Sequence, residues 1–103
     1  MNIIDEIGLP AALGQLAEEC AELAKAALKL QRIIYGTNPT PVTREQAEDA
    51  LMEETVDVIL TLDVIEQESG MRLFDMPEYL RKFDRWVHRL EVARGKEDEN
   101  GQT

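Results

Sequence analysis

The run Leu51-Met52-Glu53-Glu54-Thr55-Val56-Asp57-Val58-Ile59-Leu60-Thr61-Leu62 limits what this chain can become more than any other segment. It has helical length and apolar side chains on nearly every side. A helix made from it needs packing partners around most of its circumference. Yet Glu54 and Asp57 sit inside it. On a helical wheel Glu54 falls between Leu51 and Val58, with Ala47 and Thr61 stacked nearby, and solvent is not the expected neighbour. A carboxylate left unpaired in such a place is costly. The usual remedies are a raised pKa, a cationic partner or a metal ion.

The remaining pattern is helical too. Leu13, Leu16, Cys20, Leu23, Ala27, Leu30 and Ile34 recur at steps of three and four, which predicts a first long helix over 10–35. Pro10 suits its first turn and Gly36 a left-handed cap at its end. A short turn of helix over 2–7, closed by Gly8, precedes it. The stretch Gly36-Thr37-Asn38-Pro39-Thr40-Pro41 reads as a loop stiffened by two prolines. Thr43 and Gln46 form a capping-box pattern that opens a second long helix over 44–69, ended by Gly70. Asp75 and Glu78 make another such pattern, with Pro77 in the first turn. The helix that follows has Met76, Tyr79, Leu80, Phe83, Trp86, Val87 and Leu90 as its apolar stripe. There is no strand-like alternation and no internal repeat.

The expected fold is therefore all-α: two long antiparallel helices and a shorter third in a single domain over 1–94, with a flexible polar tail over 95–103. At 103 residues the chain suits one small domain. Its second helix is too apolar for one partner helix to cover. A four-helix-type core completed by oligomerisation follows, as a homodimer or homotetramer. A monomeric three-helix bundle is the simpler alternative.

Charge narrows the function. With 21 acids against 11 bases the net charge is −10, which argues against a nucleic-acid partner and against an anionic membrane. A phosphate-bearing ligand would be repelled unless metal ions bridged it to the acids. No apolar run reaches spanning length, and Met1-Asn2-Ile3-Ile4-Asp5-Glu6 lacks the pattern of a signal peptide. The only cysteine, Cys20, reads as a small buried hydrophobe and permits no internal disulfide. A cytoplasmic protein is expected.

The earlier helix supplies a second acidic set, Glu18-Glu19-Cys20-Ala21-Glu22. Residues three apart share a helix face, so Glu19 with Glu22, and Glu54 with Asp57, can each aim at one point. Glu19 flanks the apolar stripe, Glu22 lies further round, and Glu18 points most nearly away. Carboxylates without a nearby histidine favour Mg2+, with Mn2+ an acceptable substitute, over zinc. A di-iron bundle would want Glu-x-x-His on two helices, and the one histidine, His88, lacks that context. Two bland readings stand beside the metal site. Glu18 and Glu22 share a face with Lys25 and Lys29, as on an ordinary solvated helix surface. Arg32, Lys82 or Arg85 could pair with Glu54 and Asp57 in a structural network.

The pair of motifs, Glu18-Glu19-Cys20-Ala21-Glu22 and Glu54-Thr55-Val56-Asp57, resembles that of the MazG-type all-α nucleoside triphosphate pyrophosphohydrolases. Dimeric dUTPases and phosphoribosyl-ATP pyrophosphohydrolases are related enzymes. The likeness covers roughly 13–65 and extends weakly to the last helix. It implies Mg2+-dependent cleavage between the α- and β-phosphates of a small-molecule nucleotide, giving monophosphate and pyrophosphate, as in nucleotide-pool housecleaning. Glu19, Glu22, Glu54 and Asp57 would be the metal ligands. Glu18 would lie near the attacking water or orient a ligand. The resemblance also implies a bundle completed by dimerisation or tetramerisation. Family members carry basic residues after the second motif, and Lys82, Arg85 and Arg89 lie on one side of the last helix to meet phosphate. A catalytically silent helical module that binds nucleotides or proteins is the alternative.

Overall fold

The computed structural model describes residues 1–36 and 39–99, with side chains as far as residue 96. All regular structure among them is helical: α1 (Ile3–Ile7), α2 (Leu9–Tyr35), α3 (Arg44–Ser69) and α4 (Met76–Glu99). The protein is an all-α helical bundle. Thr37 and Asn38 of the expected proline loop, and the last four residues of the expected tail, lie outside the described residues. The chain divides into two units, Met1–Met71 and Arg72–Thr103.

In the first unit, short polar contacts fix the helix ends. The Asn2 side chain accepts a hydrogen bond from the Asp5 N–H at 2.9 Å and caps α1. Glu68, near the far end of α3, accepts from the Ile4 N–H at 3.1 Å and ties α1 to α3. At α3 the capping box is complete: Gln46 N–H donates to Thr43 Oγ1 at 3.1 Å, and Thr43 N–H donates to Gln46 Oε1 at 2.9 Å. Gly70 ends α3 at φ 79°, a left-handed conformation that a side chain would resist.

The two long helices pack through seams spaced by three and four residues. On α2 the buried or half-buried positions of the seam are Ala12, Leu16, Glu19, Leu23, Ala26, Leu30 and Ile33, with Leu9, Lys29 and Arg32 half-buried beside it. On α3 they include Ala47, Leu51, Glu54, Val58, Thr61, Ile65 and Glu68. The helices are antiparallel. One apolar hollow brings Ala12 and Gln15 to Leu60, Thr61, Val64 and Ile65, and a second groove brings Ala26 and Lys29 to Ala50 and Glu54. This 3.5-residue spacing is that of left-handed helix pairs.

The seam on α2 is rotated from the stripe read in the sequence. Leu16, Leu23 and Leu30 belong to both, but Cys20, Ala27 and Ile34 are exposed. Cys20 is therefore not the buried hydrophobe expected of it. Alanines at 12, 26, 47 and 50 lie at or beside the contact, interleaved with Leu16, Leu23, Leu51 and Val58. Among the described residues only Ala12, Ala47 and Ile65 are buried. The outward face of α3 remains open: Met52, Val56, Ile59 and Leu60 are all more than half exposed.

In the second unit, Asp75 Oδ2 accepts from the Glu78 N–H at 3.1 Å and starts α4. The expected box is half made, because the Glu78 carboxylate accepts from Arg81 instead, with Nε at 2.9 Å. That bond holds the Glu78 carboxyl below its ordinary pKa. Phe74 and Tyr79 pack with ring centroids 5.8 Å apart. Helix α4 passes through Gly95 to Glu99, further than the polar composition suggests. Its stripe of Tyr79, Leu80, Phe83, Trp86, Val87 and Leu90 is exposed rather than core. No described helix is long and apolar enough to cross a membrane.

The capping box makes a direct prediction. Thr43→Ala removes the side-chain acceptor at the head of α3 and should destabilise the chain by about 1 kcal/mol in urea unfolding. An unchanged midpoint would show that the start of α3 is held by something else.

Candidate metal centre

Four of the five motif acids project where α2 and α3 meet, but in different ways. Glu19 and Glu54 occupy the third position of their respective seams, so each is half-buried. Asp57 stands one turn after Glu54 on the same helix, on the flank of the seam, and is exposed. The enclosure expected of Asp57 is absent because Val56 and Leu60 beside it are themselves uncovered. Glu19, Glu54 and Asp57 each place one carboxylate oxygen so that the three lie within 4.8 Å of one another. Oxygens on an octahedral Mg2+ at its usual bond length are about 3 Å apart when cis and about 4 Å when trans.

Glu22 sits close to this set without being part of it. Its Oε1 lies 3.4 Å from Lys25 Nζ on the solvent side of α2. It still acts on Glu54 through space. Glu18 is exposed, outside the set, and makes no hydrogen bond or ion pair among the described residues. Glu19 accepts a hydrogen bond from Gln15 Nε2 at 2.6 Å, which orients its carboxylate along α2.

Electrostatics single out Glu54. Burial in the seam pushes its carboxyl above the ordinary value of 4.5, and the negative charges of Asp57, Glu22, Glu19 and Glu53 push it further. Among the described residues of this unit, no lysine or arginine lies within ion-pairing distance of Glu19, Glu54 or Asp57. Arg32 therefore does not build the structural network that was the competing reading. The donor set is all carboxylate oxygen, which suits Mg2+ or Mn2+ and not a thiolate- or imidazole-seeking metal.

Lys82, Arg85 and Arg89 are exposed along α4, in the second unit. Lys82 and Arg85 act on Glu78 there. His88 is exposed on the same helix. A feature hidden in the sequence lies beside the acids. A groove of about 240 Å³ is lined by Glu22, Lys25, Ala26, Lys29, Ala50 and Glu54, so Lys25 and Lys29 stand beside two of the motif acids, while Lys25 and Glu22 also form the exposed pair of a solvated face. Their spacing from Glu22 and across from Glu54 was the available signal, but only the antiparallel register makes it meaningful.

No family model matches the chain, and neither a curated protein nor a solved structure matches it.

The raised carboxyl of Glu54 fixes the sign of a pH effect. In the folded chain its pKa lies above 4.5, so the fold binds more protons than the unfolded chain in the interval above that pH. Stability linked to Glu54 is thus fully present below pH 4.5 and lost as pH rises through the folded pKa. In metal-free buffer, Glu54→Gln should melt higher than the parent at neutral pH, with the gap closing toward pH 4.5. A variant that melts lower at neutral pH would indicate a structural ion pair instead.

Proposed function

We propose that the chain is a Mg2+-dependent pyrophosphohydrolase acting on nucleoside triphosphates, releasing a monophosphate and pyrophosphate. The observation that carries this reading is the convergence of Glu19, Glu54 and Asp57 from two helices with no cation of their unit to neutralise them. The motif resemblance supplies the reaction class. Glu19, Glu54 and Asp57 hold the ion, and Glu22 joins them by leaving its weak surface pairing with Lys25. Bound there, Mg2+ would offset phosphate charge and make a bound water a better nucleophile. The carboxylates keep negative charge fixed on one side of the phosphorus under attack. Glu18, exposed and unpaired, is the residue we assign to accept the water's proton. A cytoplasmic nucleotide-pool role accords with the acidic, single-cysteine composition.

A second copy of the chain completes the bundle in this reading. Met52, Val56, Ile59 and Leu60 form an apolar face that the chain leaves bare, and such faces mark association surfaces. Few fully buried residues support the first unit, so folding and association are coupled.

Two outcomes test these statements. Purified protein with Mg2+ should convert at least one nucleoside triphosphate to monophosphate and pyrophosphate, and Glu54→Gln should reduce turnover at least about 100-fold, the upper end of what even an outer-shell partner of a metal is worth. Orthophosphate release, or no turnover across common and damaged nucleotides, would favour a silent binding module. In sedimentation at low micromolar concentration the chain should run as a dimer or larger, and Ile59→Arg should disrupt assembly and folding together. A well-folded species at 11.7 kDa would contradict the association.

A further inference from the structure

We infer that Lys25 and Lys29 form the anion-binding half of this site, taking the phosphate groups of the ligand that extend beyond the carboxylates. The inference rests on the triphosphate reading above and adds residues to it. Lys25 and Lys29 are one helical turn apart and line the groove that also holds Glu54, a member of the metal-ready set. Ala26 and Ala50 line it from the two helices, and their small side chains leave the space open. Acid and base therefore face one cleft within a single unit of the fold.

Lys29 is the informative residue. It is half-buried, yet it makes no hydrogen bond or ion pair among the described residues. This happens in a chain with 21 acids and 11 bases, where carboxylate partners abound. An ammonium that has no partner and stands beside this groove gains from an added anion. Lys25 is engaged only with Glu22, at 3.4 Å, in an exposed pair of the kind that exchanges readily. When Glu22 turns to a metal ion, Lys25 is released toward the groove.

The same surroundings define the ligand. Glu54 and Glu22 line the groove and repel a simple anion. A ligand must therefore carry oxygens that bind a divalent ion and further anionic oxygens that reach the lysines. An oligophosphate chain has both, and a single carboxylate has not. The site thus has a metal end, formed by the acids, and a lysine end, which retains the terminal phosphates.

Inorganic pyrophosphate is the probe, titrated calorimetrically into the full chain with and without Mg2+. Binding should require Mg2+. Lys29→Met should weaken it at least tenfold, Lys29→Arg should keep most of it, and Lys96→Met, at an exposed position on α4, should leave it unchanged. Circular dichroism reports whether each variant folds. In the parent chain itself, Mg2+-pyrophosphate should protect Lys25 and Lys29 from acetylation, read by mass spectrometry, so a folding defect in a variant does not decide the matter. Undiminished affinity in a folded Lys29→Met, unprotected Lys29, or no pyrophosphate binding at all would overturn the inference. Triphosphate turnover indifferent to Lys29 would remove the lysine role and leave the hydrolase reading. Lysine-dependent pyrophosphate binding without turnover would do the reverse.

Discussion

The structure turns on mutual repulsion among carboxylates at the contact of α2 and α3. Glu54 sits in a helix seam, where burial disfavours its charge, and Asp57, Glu22 and Glu19 add to that cost. A sequence selected for stability alone would place aliphatic residues at these seam positions, as at Leu16, Leu23 and Val58 around them. The cost is tolerated because seam positions offer something surface positions do not: side chains on opposing helices are held in fixed register. In the proposed reading a bound cation supplies the charge that these like-charged groups lack.

That register depends on unremarkable residues. Alanines along α2 and α3 let the backbones approach, the Thr43–Gln46 box fixes where α3 begins, and Glu68 ties α1 across it. A one-residue slip of α3 would carry Glu54 off the seam and separate it from Glu19. The same close packing explains why so few residues are fully buried. Met52, Val56, Ile59 and Leu60 stay outside the seam on α3, where they suit a further helical partner in the proposed assembly. The proposed site and the proposed association surface therefore lie on opposite faces of α3.

The helical class, both ends of α3 and the closing of α1 at Gly8 were legible in the sequence, because caps and glycines act locally. The start of α2 differs by a single residue, at Leu9. The α2 seam was less legible. A hydropathy pattern follows leucine and cysteine, whereas helix approach follows alanine, so Cys20 was given a buried place that Glu19 and Ala26 share instead. Of the acids proposed to hold an ion, Glu19, Glu54 and Asp57 come together as their spacing suggests, while Glu22 pairs with Lys25. Lys25 and Lys29 read as part of a solvated face because a lysine one turn from a glutamate looks the same there and beside a cleft. Only the opposing helix distinguishes the two.

The most direct measurement is anomalous diffraction from crystals soaked in Mn2+, which reports ion positions without reference to any substrate. The account predicts one strong peak between α2 and α3 at about 2.2 Å from oxygens of Glu19, Glu54 and Asp57, with the Glu22 carboxylate turned toward it and away from Lys25. Peaks scattered over the acidic surface, with none between these three residues, would contradict it.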